Sequence, residues 1–244
     1  MAHRYYCPPE SIDLAVGALT LTGEEAAHLA RVLRARPGQE ICVFDGTGTN
    51  YACRIDTVTP DAVTCAILSS APGASEPDVA VTLYVGYPKA DKLELIIQKA
   101  VELGAVRIVP FFSRYCVVTP KKEEQKRQRY QRIALEAAKQ SGRDIVPTVE
   151  LPRSFAEVCG ELPGHDAALF CYEAEQNGAK LTELLAGAHT VAIVTGSEGG
   201  FSPEEAAAAA AVSRSISLGP RILRCETAPL AALTAVMTVT GNLE

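Results

Sequence analysis

Apolar and polar residues alternate along residues 40–69 in a pattern that predicts a small antiparallel sheet. Apolar side chains recur at every second position in three successive runs, which is the period of a strand with one buried face. These positions are Ile41 and Val43, then Tyr51, Cys53 and Ile55, then Val63, Cys65 and Ile67. The turn sequences DGTG at 45–48 and TPD at 59–61 separate the runs. Short turns between such runs favour an antiparallel meander.

A helix is expected just before this meander. Thr22 and Glu25 fit a capping box, in which each side chain bonds the other residue's backbone N–H. The sequence EEAAHLARVLRARPG follows, and Pro37 with Gly38 would end the helix. The natural packing for these elements is a small β-barrel with one helix.

The pattern changes after the sequence APGASEPD at 71–78, which is rich in loop-forming residues and indicates a domain boundary. Beyond it, apolar runs alternate with helical stretches, an order that predicts an α/β domain with a mainly parallel sheet. The runs are 81–87, 106–112, 168–172 and 191–195, and the helical stretches are about 90–103 and 121–141. We therefore predict a first domain at 1–72, a linker at 73–78 and a second domain at 79–244.

The last segment, TAPLAALTAVMTVTGN at 227–242, carries no charge. A helix without a charged face is expected to be buried on all sides, and this one is too short and too rich in threonine for a membrane span. It would either fill the domain interior or pack against a second subunit, and we favour the subunit interface.

Composition describes an ordinary soluble protein. The chain has 244 residues, 48% of them hydrophobic, and a net charge of −6. The first ten residues lack the apolar core of a signal peptide. The eight cysteines are scattered and form no C-x-x-C pair, so we expect free thiols in a reducing cytoplasm and no metal site.

The sequence VTGSEGGFSPEE at 194–205 predicts a tight turn between a strand and a helix that begins at Ser202. Such turns at the carboxyl ends of parallel strands bind ligands in open α/β sheets. The turn fits neither the phosphate loop nor the dinucleotide motif, and Glu198 would repel a phosphate. The pattern therefore favours a neutral or cationic ligand. The alternative is a purely structural turn with a solvated glutamate.

Basic residues cluster locally despite the acidic total. Residues 121–143 hold eight basic and three acidic side chains, a local charge of +5. Arg31, Arg34 and Arg36 form a second cluster, and Arg4 stands beside two tyrosines. Arginine with aromatic residues suits phosphates and stacked bases, so RNA binding is one interpretation. A solvated helix face is the other.

With the turn at 194–205, the sequence LGPRILRCETAPLAAL at 218–233 resembles the knotted methyltransferases of the SPOUT superfamily. Within them the chain resembles the ribosomal RNA small subunit methyltransferase E family, which methylates N3 of a uridine in 16S rRNA. The resemblance extends to HLARVLRARPGQEICVFDGTG at 28–48, which is similar to the family's PUA-like RNA-binding barrel. The stretches KLELIIQKAVELG at 92–104 and RYQRIALEAAKQSGRDIVP at 129–147 match its middle motifs. Two departures are Ser197, where the family usually has proline, and Tyr130, where it tends to have tryptophan.

The resemblance implies S-adenosyl-L-methionine as methyl donor, bound by three loops of a deep trefoil knot in the second domain. It also implies a homodimer and a 16S rRNA substrate, within the small ribosomal subunit. The implied donor-binding residues are Tyr172, Glu173, Thr195, Gly196, Glu198, Gly199, Gly200, Leu218, Gly219, Ile222 and Leu223. The implied RNA-binding residues are His28, Arg31, Arg34, Arg129, Gln140 and Arg143. Arg4 is added to them as a candidate because it stands beside two tyrosines.

Arg224 and Glu226 are the candidate catalytic residues. Arg224 would stabilise negative charge on the uracil oxygens, and Glu226 would orient Arg224 or accept the N3 proton. The alternative is that these two residues form an ion pair that closes the knot. Two other functions stay open at this point: a non-catalytic RNA-binding ribosome assembly factor, and an α/β enzyme that binds a nucleotide phosphate.

Overall fold

The computed structural model describes residues 4–118, 121–172 and 180–243. The chain forms two compact units, which we describe separately. Unit 1 comprises Met1–Glu76 and Ala138–Val146, and unit 2 comprises Pro77–Ala137 and Pro147–Glu244. The segment Ala138–Val146 thus clusters with unit 1, although the sequence expectation placed it within the domain at 79–244.

Unit 1 is built on a six-stranded sheet in the order β1-β4-β5-β6-β3-β2. The strands are β1 (Arg4–Tyr6), β2 (Ile12–Asp13), β3 (Ala18–Thr22), β4 (Glu40–Phe44), β5 (Thr49–Val58) and β6 (Ala62–Pro72). Strand β1 runs parallel to β4 and every other pair is antiparallel. The alternate positions Tyr51, Cys53 and Ile55 are buried between exposed neighbours. The predicted meander is therefore confirmed as β4, β5 and β6.

The helix of unit 1 differs from the prediction. Helix α1 covers only Gly23–Ala27 and continues as a π-helical turn, His28–Val32. The predicted capping box is wrong, because the Thr22 side chain makes no capping hydrogen bond. Gly23 has a φ of 59°, so the backbone enters the helix in the left-handed region. Arg34 also has a positive φ, 51°, which ends the helical path before Pro37.

A buried ion-pair network lies within unit 1. Asp144 accepts hydrogen bonds from Arg4, from Asn50 at 2.8 Å and from the Ser75 hydroxyl at 2.7 Å. Arg143 pairs with Glu76, and only 3% of Arg143 is exposed. The network joins residues 143–144 to strands β1 and β5 and to the segment that follows β6. Because each charge has a partner, no isolated charge is buried.

Unit 2 contains a seven-stranded sheet in which every pair is parallel. The strands are β7 (Ala80–Gly86), β8 (Arg107–Phe112), β9 (Thr148–Val149), β10 (Arg153–Ser154), β11 (Ala167–Cys171), β12 (Thr190–Thr195) and β13 (Arg214–Ile216). Their order is β10-β8-β7-β12-β11-β13, with β9 paired to β8. The parallel sheet predicted from the four apolar runs is confirmed.

The described residues after β7 form six α-helices. They are α2 (Lys92–Glu102), α3 (Glu123–Ser141), α4 (Phe155–Glu161), α5 (Leu181–Leu184), α6 (Pro203–Val212) and α7 (Ala228–Val239). Helix α2 buries Leu93, Ile96, Ile97 and Ala100, as its periodicity predicts. In the described parts of the chain, no helix combines the length and apolar character needed to cross a bilayer.

Helix α7 is only half buried within one chain. Leu233, Val236 and Met237 are buried, whereas Thr234 and Thr238 are exposed. The helix therefore does not fill the domain interior, and the favoured alternative, a subunit interface, stays a prediction. The exposed face includes Thr234 and Thr238 and carries no charge.

Candidate functional site

The carboxyl ends of four neighbouring strands form one edge of the unit 2 sheet. Strands β7, β12, β11 and β13 lie side by side and run in the same direction. Their order in the sheet differs from their order in the chain, because β12 lies between β7 and β11. Loops at such an edge are where open α/β sheets bind ligands.

A cavity of about 560 Å³ lies at this edge, beyond β11 and β13. Its lining residues are Cys171, Tyr172, Ser217, Leu218, Gly219, Pro220, Arg221, Ile222, Leu223 and Ala228. The volume is within the usual range for small-molecule sites. The lining includes Tyr172, Leu218, Gly219, Ile222 and Leu223, which the sequence predicted as donor-binding residues. Glu173, also predicted there, lies outside the described residues.

The turn at 218–223 is shaped by a glycine and a serine. Gly219 has a φ of 98°, a conformation that residues with a Cβ rarely adopt. Its N–H donates to the Ser217 hydroxyl at 3.2 Å. Ile222 projects outward with 85% of its surface exposed. A large apolar side chain so exposed beside a cavity is available to cover a ligand.

The glycine turn at 196–200 passes very close to the end of β7. A Cβ added at Gly86 would lie 2.3 Å from the backbone nitrogen of Ser197. A Cβ at Gly199 would lie 2.6 Å from Tyr115. These glycines are therefore required by close backbone approach. The predicted helix start is confirmed, since Ser202 and Glu205 form a capping box at the first turn of α6.

Two buried hydroxyl groups at this turn bond no residue among those that the structure describes. Thr195 is 1% exposed and Ser197 is 7% exposed, and neither side-chain oxygen bonds any residue that the structure describes. Buried polar groups normally have a partner. These two hydroxyls are thus available to bond a water molecule or a ligand.

Lys92 joins this turn to the segment just before α7. Its Nζ lies 3.0 Å from Glu198 Oε1 and 3.2 Å from Glu226 Oε2. The hydrogen bond to Glu198 and then that to Glu226 raise the pKa of Lys92. Partial burial acts to raise the pKa of Glu198, but hydrogen bonds from the Lys89 N–H and Lys92 outweigh it, so that pKa is lowered. Both carboxylates are therefore ionised at neutral pH.

Cys225 stands next to this cluster but is not a nucleophile. Burial, and then its hydrogen bond to Glu226, raise the pKa of the Cys225 thiol to about 12. The reactive form of cysteine is the thiolate, which is scarce at neutral pH when the pKa is so high. The same hydrogen bond is the main cause that lowers the pKa of Glu226.

Arg224 is exposed and lies between the cavity-lining residues Leu223 and Ala228 in the chain. Its carbonyl accepts hydrogen bonds from the Thr227 and Ala228 N–H groups, which fold this segment into a turn. Among the ion pairs of the described residues, Glu226 has Lys92 as its partner and Arg224 takes part in none. The alternative of an Arg224–Glu226 ion pair is therefore wrong for this structure.

Five of the seven predicted RNA-binding residues are exposed, and the other two belong to the ion-pair network of unit 1. His28, Arg31, Arg34 and Gln140 are exposed in unit 1. In unit 2, Arg129 is exposed and pairs with Glu94 at 2.8 Å. Arg4 and Arg143 instead belong to the buried network of unit 1, where their side chains stabilise the unit and are poorly accessible to a phosphate.

Tyr130, which stands where the family tends to have tryptophan, does not expose its ring. It is 7% exposed, and its hydroxyl lies 3.0 Å from that of Tyr87. Tyr87 in turn stacks on Phe112 with ring centroids 5.0 Å apart. Tyr130 therefore packs in the protein interior.

The site fits a ligand of mixed polarity that is neutral or cationic. The cavity offers apolar side chains and backbone groups of the 217–223 turn. Nearby, the carboxylates of Glu198 and Glu226 flank the Lys92 ammonium group, and Arg221 lines the cavity itself. The two carboxylates would attract the cationic part of a ligand on the side of the glycine turn.

Comparison with known proteins agrees with this chemistry. Residues 75–237 match a family described as RNA methyltransferase domain, and residues 21–68 match one described as RNA methyltransferase PUA domain. The chain is 35% identical to a ribosomal RNA small subunit methyltransferase E of Bacillus subtilis, over 89% of this chain and 88% of the relative. It is 34% identical to the Synechocystis protein of the same name, over 97% of this chain and 77% of that one.

Two solved structures of similar proteins contain S-adenosyl methionine. A ribosomal RNA small subunit methyltransferase E from Neisseria gonorrhoeae, bound to S-adenosyl methionine, is 31% identical with a TM-score of 0.87, and the match covers 98% of each chain. A putative methyltransferase from Legionella pneumophila, also in complex with this cofactor, is 27% identical with a TM-score of 0.87 and 98% coverage of each chain.

Proposed function

This chain belongs to the ribosomal RNA small subunit methyltransferase E family, and we propose that it transfers a methyl group from S-adenosyl-L-methionine to N3 of a uridine in 16S rRNA. The cavity beyond β11 and β13, lined by Tyr172 and the 217–223 turn, is the observation that carries this proposal. Its residues suit the donor's adenosine and methionine parts. The Glu198 and Glu226 carboxylates nearby suit the sulfonium group. The PUA-like domain and the mainly parallel α/β domain agree with the family's organisation.

The donor, when bound, supplies an electrophilic methyl group on a positively charged sulfur. The adenosine would be held by Tyr172 and by backbone groups at Leu218, Gly219 and Leu223, with Ile222 covering it. The glycine turn at 196–200 would form the other wall, together with the Thr195 hydroxyl, which bonds no described residue. Both turns would place the methyl carbon in line with the attacking nitrogen.

Arg224 is the proposed catalytic residue. Uridine N3 carries a proton at neutral pH, and negative charge develops on the uracil oxygens as this proton passes to Glu226 or to water. The exposed Arg224 guanidinium would stabilise that charge by hydrogen bonding. Glu226 is a weak base because its pKa is lowered, first by its hydrogen bond with Cys225 and also by Lys92. Charge stabilisation by Arg224 therefore carries more of the proposed step than proton transfer to Glu226.

The RNA is proposed to contact Arg31, Arg34 and His28 in the PUA-like domain, together with Gln140 and Arg129. All five are exposed. Contacts of arginine with phosphates release counterions, so RNA affinity should fall as salt is raised. We assign Arg4 and Arg143 to the support of unit 1, since both are engaged in buried ion pairs. The substrate would be 16S rRNA within the small ribosomal subunit, in the cytoplasm.

A homodimer through the uncharged face of α7 is part of the proposal, as is the trefoil knot implied by the family resemblance. Thr234 is exposed on that face. Introducing a charge there by Thr234→Glu should shift the protein from dimer to monomer in light scattering. The matched control is Ala207→Glu, a change at a small exposed residue of α6. A monomeric wild-type protein, or an unaffected Thr234→Glu dimer, would refute this interface.

The proposed activity can be tested on ribosomal subunits that lack the modification. Small subunits from a deletion strain are incubated with the protein and isotopically labelled S-adenosylmethionine, and the 16S rRNA is mapped by mass spectrometry. We expect one labelled methyl group at N3 of a single uridine. A methyl group on another base, or no transfer by protein that binds the donor, would contradict the proposal.

A further inference from the structure

We propose that Lys92 is a positioning residue that holds together the two loops forming the donor site. This inference rests on the proposed function, because it assigns Lys92 a role in donor binding. The partners of Lys92 in the structure are Glu198, in the glycine turn, and Glu226, in the segment before α7.

Lys92 connects three parts of the chain that are distant in sequence: the start of α2, the glycine turn and the segment before α7. Lys92 is the first residue of α2. Its ammonium group lies 3.0 Å from Glu198 and 3.2 Å from Glu226, and it donates to the Cys225 sulfur at 3.6 Å. The backbone N–H of Lys89 donates to the same Glu198 oxygen at 3.1 Å. The loop preceding α2 and its first residue therefore fix the Glu198 carboxylate from two directions.

The contact between Lys92 and Glu226 is linked to the cavity lining through a short turn. Leu223 and Ala228 line the cavity, and the Glu226 side chain that Lys92 holds lies between them in the chain. Hydrogen bonds from Thr227 and Ala228 to the Arg224 carbonyl keep this segment compact. Lys92 itself is absent from the cavity lining, so it acts on the donor through the residues that it holds.

Charge explains why a lysine is needed at this position. Two carboxylates lie within 3.2 Å of one nitrogen, and without the ammonium group they would repel each other. Repulsion between like charges in a partly buried place is stronger than in water. The glycine turn and the segment before α7 would then separate, and the donor site between them would lose its preorganised geometry.

A second lysine on the same helix provides a matched control. Lys99 pairs with Glu102 at 2.8 Å within α2, and this pair joins no two loops. If Lys92 merely stabilised the fold, replacing either lysine would lower the melting temperature without a selective effect on the donor. If Lys92 positions the loops, only its replacement weakens donor binding.

Calorimetric titration with S-adenosylmethionine, together with thermal melting, separates these roles. We expect Lys92→Met to raise the Kd for the donor about tenfold and Lys92→Arg to restore part of the affinity, while Lys99→Met stays within about twofold of wild type. In a Glu198→Gln background, Lys92→Met should cost less than in the wild type, because one of the two repelling charges is already gone.

Each outcome has a defined meaning. Wild-type protein that fails to bind the donor overturns the proposed function itself. Wild-type protein that binds, with Lys92→Met binding within twofold, overturns only the role of Lys92. Fully additive effects of Lys92→Met and Glu198→Gln also overturn it. If Lys92→Met does not fold, Lys92→Gln, which keeps a hydrogen-bond donor without the charge, replaces it in the same comparison.

Discussion

Replacing Gly86 by alanine tests whether the close approach of β7 to the glycine turn matters for donor binding. Gly86 is the last residue of β7. An added Cβ would lie 2.3 Å from the Ser197 nitrogen and 2.7 Å from the Gly196 carbonyl carbon. Both contacts are to backbone, which has no alternative rotamer to move away.

The magnitude follows from these distances. Ordinary van der Waals contact with a Cβ begins at about 3.4 Å, so the turn must move by roughly 1 Å to admit the methyl group. Overpacking of this kind costs about 1–3 kcal/mol, which lowers the melting temperature of a protein of this size by roughly 2–12 °C. A displacement of about 1 Å near the reacting groups costs up to about a hundredfold in rate.

The assay compares Gly86→Ala with Gly160→Ala. Gly160 lies in α4, and an added Cβ there meets nothing within 4 Å, so this control should retain wild-type activity and gain about 0.5–1 kcal/mol of stability. We expect Gly86→Ala to weaken donor binding in calorimetry and to lower kcat/KM for methyl transfer by about 10–100-fold. Wild-type affinity and rate in a folded Gly86→Ala protein would refute the reasoning.

Three further substitutions are informative. Arg224→Ala should lower the rate of methyl transfer about 100-fold or more while changing the donor Kd less than about twofold, since the side chain is proposed to act on the uracil; equal loss of rate and donor affinity would contradict this role. Asp144→Asn should cost about 2 kcal/mol of unfolding free energy at pH 7. Burial acts to raise the pKa of Asp144, but hydrogen bonds from Ser75, Asn50 and Arg4 outweigh it and lower that pKa from 3.8 to about 2. This stabilisation is complete above pH 4 and is lost as the pH falls toward 2, so urea melts of wild type and variant should converge in that window; a constant difference would refute the assignment. Ser197→Pro should raise the melting temperature by about 1–4 °C, because the Ser197 N–H donates to no residue that the structure describes; a lower melting temperature would show that the turn does not accept proline.

Local patterns predicted most of the secondary structure of the second domain. Apolar runs alternating with helices indicated a parallel sheet, and Ser202 with Glu205 marked the start of α6. The same kind of reasoning failed at Thr22, because the left-handed conformation of Gly23 is not visible in a capping pattern. A capping motif describes which residues are able to bond and does not determine the backbone path between them.

The candidate site was predicted in part, since sequence identifies side chains but not their distant partners. The glycine turns were recognisable, and five predicted residues line the cavity. The role of Lys92 was missed because its partners lie 106 and 134 residues away in the chain. Arg143 was assigned to RNA from the family resemblance and from the basic cluster at 121–143, whereas Glu76, 67 residues earlier, holds it in the interior. A cluster of charges thus indicates a surface only when no partner is brought to it by the fold.

The structure of the protein crystallised with S-adenosylmethionine is the most direct test of the account. We predict that the donor occupies the cavity beyond β11 and β13, contacts Tyr172 and the 217–223 turn, and directs its sulfonium toward the glycine turn that carries Glu198. A donor molecule bound at another place, with this cavity empty, would contradict the account.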